Sequence, residues 1–141
     1  MAIFFHTVDL NFTLPHKRVY KKWISDTIQS AGYKVGDISY IFCSEREILK
    51  VNKQYLNHNY YTDIITFPYV ENRVISADIY ISIPTVRYNA EKYRQTFTQE
   101  LSRVIIHGIL HMIGYNDFTS EEKHKMLEAE NRCLNELNSF L

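Results

Sequence analysis

The sequence is poor in cysteine, has no excess of either charge and contains no long apolar run. Its two cysteines, Cys43 and Cys133, lie far apart and do not form a metal-binding or redox motif. We therefore expect free thiols, as is usual in a reducing compartment. The first residues lack a basic leader, and no segment is apolar over the length of a bilayer. A cytoplasmic protein without a membrane partner is the expected class.

Basic residues offer no general indication of a nucleic-acid partner, because 16 Lys and Arg balance 16 Asp and Glu. Any contact with nucleic acid must then come from a local patch. A chain of 141 residues, 45% of them apolar, is long enough to bury one substantial core. Repeats, linkers and low-complexity segments are missing. We therefore expect residues 1–141 to form a single domain.

The pattern of apolar residues predicts an α+β fold. We expect strands at 3–8, about 37–43, 64–67 and 74–83, with Pro68 ending the third and Pro84 the fourth. Helix signals follow Pro15, Ser44 and Thr119, and residues 57–61 resemble a loop. A long helical stretch is expected over 85–113, with a break near 95–98 left open. The expected architecture is a small mixed four-stranded sheet packed with about five helices.

The segment from His107 to Asp117 carries the clearest chemical signal. His107 and His111 are four residues apart, Gly114 follows after three more, and Asp117 after another three. Histidines at this spacing lie on one helix face, and the glycine can end the helix so that the aspartate turns back. Three such ligands with an open fourth position are typical of catalytic zinc. The segment predicts one zinc per chain on a helix of the C-terminal half, and a metal-dependent hydrolase.

The histidine pair also permits other interpretations. A pair at helical spacing is often only a polar patch, but this helix is strongly apolar and burying two imidazoles is costly unless they are satisfied. A zinc-dependent peptidase of metzincin-like spacing is the enzymatic alternative. Such peptidases use H-E-x-x-H, in which the glutamate is the general base. Gly108 stands in its place here, which argues against a peptidase and would let a substrate approach the metal closely.

Three blocks of the chain resemble the YbeY family, the metal-dependent endoribonucleases of rRNA maturation. Residues 107–117, His-Gly-Ile-Leu-His-Met-Ile-Gly-Tyr-Asn-Asp, are similar to the family signature H-G-x-L-H-L-x-G-Y-D-H. Residues 51–68 resemble the block L-N-x-x-Y-R followed by T-D-V-L-S-F-P, and residues 77–81 resemble G-D-I-x-I. The acidic and methionine positions that follow the signature also recur, at Glu122, Met126 and Glu130.

This resemblance implies a single-strand-specific metallo-endoribonuclease acting in 16S rRNA 3′-end maturation and ribosome quality control. RNA would be the partner, as the 16S rRNA precursor and in ribosomal particles. His107 and His111 would be catalytic and, with Asp117, would bind the metal. Candidates for orienting the ligands or lining the substrate cleft are Asp63, Asp78 and His58. A ribosome-associated zinc-binding module without catalysis is the alternative outside the enzymes.

Two positions depart from the family pattern. The third ligand is a histidine in most of the family and Asp117 here; aspartate also binds zinc, but its charge would make the ion a weaker Lewis acid. The catalytically important arginine of the family falls at Leu56, which offers a phosphate no charge. An arginine from elsewhere would have to supply it, and the candidates are Arg46, Arg73, Arg87, Arg94 and Arg103.

Overall fold

The computed structural model describes residues 2–56 and 62–141, which form a mixed four-stranded sheet and five helices. The α+β architecture expected from the sequence is therefore confirmed. In chain order the elements are β1 (Ile3–Val8), α1 (Lys17–Ser30), β2 (Lys34–Cys43), α2 (Glu45–Leu56), β3 (Ile64–Glu71), β4 (Val74–Ser82), α3 (Ile83–Lys92), α4 (Phe97–Met112) and α5 (Ser120–Asn138). The loop predicted for 57–61 lies outside the described residues.

The sheet has the strand order β1-β2-β4-β3. Strands β1 and β4 run parallel to β2, and β3 runs antiparallel to β4, so β3 is an edge strand. The prediction that Pro68 ends this strand is wrong, because β3 continues through Pro68 to Glu71. Proline lacks the N–H that an interior strand needs, and an edge strand tolerates that loss.

The two faces of the sheet carry cores of different size. The main core brings α1, α4 and α5 together over strand residues such as Ile79 and Ile81. The smaller core joins α2 to the other face, through Ile48 and Ile65 among others. Because side chains alternate along a strand, Asp78 faces the α2 side while its neighbour Ile79 faces α4.

The helical stretch expected over 85–113 is two helices with a turn between them. Helix α3 already begins at Ile83, where the Ser82 hydroxyl accepts a hydrogen bond from the Thr85 N–H at 3.3 Å. Arg94 has a positive φ of 56° in the turn that follows α3. Thr96 and Gln99 then form a capping box that starts α4. The break left open near residues 95–98 is thus present.

Buried hydrogen bonds hold α4, the helix of the histidine pair, in place. The Tyr20 hydroxyl lies 2.7 Å from the Ser102 hydroxyl, and the Tyr40 hydroxyl donates to the Ile105 carbonyl at 2.9 Å. Both tyrosines are almost fully buried, so an unmade bond at either would be costly. Helix α4 is therefore tied to α1 on one side and to β2 on the other.

Two further expectations concern the cysteines and membrane spans. Cys43 and Cys133 are both buried and both free, which agrees with the expected absence of a disulfide. Across residues 2–56 and 62–141, no helix combines the length and the apolar character needed to cross a membrane.

Candidate metal centre

Titratable side chains form a stripe along one face of helix α4. Glu100, Arg103, His107 and His111 follow each other at spacings of three or four residues, which stacks them on the same face. The Nε2 atoms of the two histidines lie 3.0 Å apart. The helix therefore presents two imidazole nitrogens to one point in space, as their spacing predicts.

The end of α4 turns the chain back toward these nitrogens. The Gly114 N–H donates to the His111 carbonyl at 3.2 Å and the Tyr115 N–H to the Leu110 carbonyl at 3.0 Å, the two bonds of a Schellman motif. Gly114 has a φ of +113°, which residues with a side chain rarely adopt. The predicted role of this glycine in ending the helix is confirmed, and the turn returns Asp117 to the histidine pair.

The three potential ligand atoms form a compact triangle. Oδ2 of Asp117 lies 3.3 Å from His111 Nε2 and 3.6 Å from His107 Nε2, beside the 3.0 Å between the two histidines. In a tetrahedral zinc site with bonds of about 2.0–2.1 Å, ligand atoms are separated by about 3.3 Å. The measured separations bracket this value. Two neutral imidazoles and one carboxylate thus fit a single divalent metal ion, and their ligand atoms lie within 4.8 Å of one another.

Glu130 of α5 binds the ring nitrogen of His107 that points away from the metal centre. Its Oε2 accepts a hydrogen bond from His107 Nδ1 at 2.6 Å, and its Oε1 accepts one from Arg103 Nη1 at 2.7 Å. With the proton held on Nδ1, the lone pair of Nε2 is directed at the metal centre. A carboxylate behind a histidine ligand fixes the ring orientation and raises the basicity of the ligand. Glu130 therefore acts on the centre through His107.

The charges around His107 favour a cation. Burial by itself lowers the pKa of the His107 imidazole, but the hydrogen bond to Glu130 and the nearby charges of Glu130, Asp117 and Asp63 outweigh it, and the net shift is upward. The same negative potential that favours a proton on this ring would favour a metal ion at the centre. A proton on the His107 ring and a metal ion at the centre would therefore compete for the same negative potential.

A small cavity of about 120 Å³ lies beside His107, lined by Asp63, Glu100, Arg103 and Glu130 among others. Burial raises the pKa of the Asp63 carboxyl and that of the Glu100 carboxyl. Asp63, which the sequence suggests as an orienting or cleft residue, is therefore next to the metal centre.

The other two residues suggested for that role are placed differently. Asp78 pairs in register with Phe67, and both lie on the α2 face of the sheet. The histidine pair is on α4, across the sheet from that face, so Asp78 is not positioned to orient a ligand. Side-chain alternation along β4 is the physical reason, since Ile79 takes the position facing α4. His58 lies outside the described residues.

Gly108 has a role that the sequence did not indicate. A Cβ atom at this position would lie 3.1 Å from the Thr66 hydroxyl and 3.3 Å from Ile64 Cδ1, both on β3. Gly108 is therefore buried between α4 and the edge strand, and it permits their close approach. The expectation that it leaves room for a substrate at the metal is wrong, because this side of the helix faces the sheet.

Arg103 is the candidate arginine that lies beside the histidine pair, where it donates to Glu130 and, at 2.8 Å, to the Asn131 carboxamide. Three other candidates already have partners. Arg46 donates to the Asp9 carboxylate, Arg73 donates to the Gly32 carbonyl, and Arg87 lies over the Phe97 ring. Arg94 belongs to the turn that precedes α4. Leu56, at the family's arginine position, is the last residue of α2 and is 40% exposed.

Glu100 and Glu130 lie near the centre although we did not predict this, and Arg103 was named only as one of five candidate arginines. A signal existed for two of them, because Arg103 precedes His107 by four residues and Glu100 precedes it by seven, both on its helix face. Glu130 was visible only as a recurring acidic position. Its contact with His107 spans 23 residues and depends on how α5 packs against α4.

Comparisons with known proteins find relatives that match most of this chain. The family model described as Endoribonuclease YbeY matches residues 7–138. A protein of Parabacteroides distasonis named Endoribonuclease YbeY is 50% identical over 95% of this chain and 94% of its own length. A protein of the same name from Phocaeicola vulgatus is 54% identical over 79% of this chain and 81% of its own. The solution structure of a Thermotoga maritima protein has a TM-score of 0.69 at 28% identity, covering 96% of this chain and 89% of that one.

Substitutions at two neighbouring residues test whether Asp117 is the third metal ligand. Asp117→Ala should leave far less than one metal ion per chain, because it removes Oδ2 from the triangle. Asn116→Ala should retain the metal, since the Asn116 side chain bonds Glu122 rather than the centre. Elemental analysis after metal loading and gel filtration measures both. Loss of metal from Asn116→Ala with retention in Asp117→Ala would show that the turn is assigned out of register.

A second prediction concerns the carboxylate behind His107. Glu130→Gln should weaken metal binding about 10- to 100-fold, because a neutral amide no longer raises the basicity of the His107 ring. Competition with a chelating dye measures the affinity. Glu128→Gln is the matched control on the same helix, since Glu128 is 62% exposed and contacts His124 instead. Equal affinity in the two variants would refute the role of Glu130.

Proposed function

The chain belongs to the YbeY family, and on that premise we propose that it is a metallo-endoribonuclease that hydrolyses phosphodiester bonds in single-stranded segments of ribosomal RNA precursors. The observation that carries this proposal is the triangle of His107, His111 and Asp117, with ligand atoms 3.0 to 3.6 Å apart. It falls within the segment that matches the family model.

We propose zinc as the metal, because two imidazoles and a carboxylate at tetrahedral spacing are a typical zinc donor set. Bound zinc would lower the pKa of its water and stabilise charge on phosphoryl oxygens. His107, His111 and Asp117 would hold the ion, Glu130 would keep the His107 proton on Nδ1, and Asp63 is suited to orient groups from the adjoining cavity.

Exposure of the ligands favours catalysis over a purely structural metal. The side chains of His111 and Asp117 are each 36% exposed, whereas His107 and Glu130 are more buried. The centre is thus closed on the α5 side and accessible from solvent on the other. A structural zinc is usually enclosed by four protein ligands, while a catalytic one keeps a position open. This asymmetry supports hydrolysis rather than a zinc-binding module.

The peptidase alternative receives no support from the site. The residue that would be its general base is Gly108, which is packed against Thr66 and Ile64 of β3. A side chain at this position would be directed into the helix–sheet contact and away from a substrate. RNA in the form of the 16S rRNA precursor, within ribosomal particles of the cytoplasm, is the substrate that we propose from the family.

A nuclease assay tests the proposed function. The purified protein should cut unpaired RNA slowly, lose that activity in chelator and regain it on addition of zinc. Casein serves as the protein substrate and should stay intact, and a fully paired RNA duplex should resist cleavage. The His111→Ala variant, which lacks a ligand, is the control for contaminating nuclease. Metal-dependent cleavage of casein without cleavage of RNA would overturn the assignment.

Position 56 offers a separate prediction. Leu56→Arg should restore the charge that the family pattern has there. In a plot of the logarithm of the single-stranded RNA binding constant against the logarithm of salt concentration, the slope should steepen by about 0.7 for one added phosphate contact. Stability should change by no more than about 0.5 kcal/mol, since Leu56 is partly exposed at a helix end. Leu141→Arg, at another exposed leucine, controls for added charge. An unchanged slope would show that position 56 does not reach RNA.

A further inference from the structure

The most exposed large apolar side chain in the described part of the protein adjoins a metal ligand. Phe118 is 85% exposed and directly follows Asp117. Exposed tyrosines occur elsewhere, for example Tyr88 at 65%, but they carry a hydroxyl that can bind water. A phenylalanine ring left in water has no such compensation. Its position beside the proposed catalytic centre therefore requires an explanation.

The usual structural role for an apolar residue at this position is not fulfilled. Thr119 is the N-cap of α5, so Phe118 occupies the position before the cap. An apolar residue there often packs against the fourth helical residue as a hydrophobic staple. In α5 that residue is Lys123, and Phe118 remains almost fully exposed. The ring thus contributes little to the start of the helix or to the core.

The backbone on both sides of Phe118 is nevertheless well fixed. On one side, Asp117 is positioned by the glycine turn and by its contacts with the histidine pair. On the other, the Thr119 N–H donates to the Glu122 carboxylate at 2.9 Å, and the Thr119 hydroxyl accepts from the Glu122 N–H at 3.1 Å. Consecutive Cα atoms are about 3.8 Å apart. An ordered segment therefore holds the exposed Phe118 directly next to Asp117 in the chain, within reach of a substrate that lies at the metal centre.

We propose that Phe118 is a base-stacking residue, on which an unpaired nucleobase of the RNA packs when the neighbouring phosphate lies at the metal centre. This inference rests on the proposed function and deepens it by naming the feature of the RNA that is recognised. Aromatic side chains bind unpaired bases by stacking, and they do so with little dependence on sequence. In a duplex, both faces of a base are already covered by its neighbours.

The charge balance of the chain supports stacking as a source of affinity. With 16 basic and 16 acidic residues, the protein has no net positive charge to attract a polyanion. Arg103, the arginine beside the histidine pair, is already engaged by Glu130. An uncharged contact with the base would add affinity without further cations, and would select single-stranded over paired RNA.

The test compares Phe118→Ala, Phe118→Leu and Phe118→Trp with the unchanged protein. Binding to a short, non-hydrolysable analogue of single-stranded RNA is measured by fluorescence anisotropy with zinc present, and KM and kcat are measured with zinc on the cleavable RNA. Loss of a stacking contact should weaken RNA binding about 5- to 100-fold in Phe118→Ala. Tryptophan should retain binding, whereas leucine, which is apolar but not aromatic, should not. Tyr88→Ala, at an exposed aromatic on α3, is the control.

A set of RNAs, each with one abasic nucleotide, identifies the contact itself. One position should exist at which base removal weakens binding to the unchanged protein but has no further effect in Phe118→Ala. Metal content and melting temperature should be the same in all variants, because the ring is exposed. Wild-type binding by Phe118→Ala or full rescue by leucine would overturn the inference while leaving the nuclease intact. If the unchanged protein neither binds nor cuts RNA, the proposed function fails as well.

Discussion

The contact between His107 and Glu130 is the interaction on which the rest of the centre depends. It joins α4 to α5 through a buried carboxylate that is only 6% exposed and is shared with Arg103. A buried carboxylate left without partners would cost about 3–5 kcal/mol, so the three side chains constrain one another. The two helices on either side of the 113–119 turn are thereby held together, and with them the position of Asp117. The negative charge that orders the helices is also what favours a cation at the centre.

The scaffold below the centre serves to hold α4 rigidly. Buried tyrosine hydroxyls bond this helix to α1 and to β2, and Gly108 allows it to lie close against the edge strand. A metal centre with three protein ligands tolerates little displacement, because the separations between the ligand atoms are set by the bond lengths of the ion. Helix α4 would supply two ligands here, and the short turn between α4 and α5 would supply the third.

The centre has two sides with different physical character. Toward α5 it is enclosed by Glu130 and by the cavity that Asp63 and Glu100 line. Toward solvent it exposes His111 and Asp117, and the exposed Phe118 follows Asp117 in the chain. Electrostatics on the enclosed side would help to retain an ion, whereas the open side is accessible from solvent. A chain without net positive charge gains no general attraction for a polyanion, and the stacking contact that we propose for Phe118 would add affinity that does not depend on charge.

Much of this arrangement follows from local patterns in the sequence. The four-residue histidine spacing, the helix-ending Gly114 and the returning Asp117 are properties of a single helix and its turn, so adjacent residues determine them. Strand and helix positions also follow from local periodicity. The prediction that Pro68 ends β3 failed because only the sheet order shows that β3 is an edge strand. Tertiary structure alone decided that Glu130 meets His107, that Asp63 lines the cavity beside His107 while Asp78 faces α2, and that Gly108 packs on β3. These depend on which helix crosses which face of the sheet, and long-range packing sets that choice.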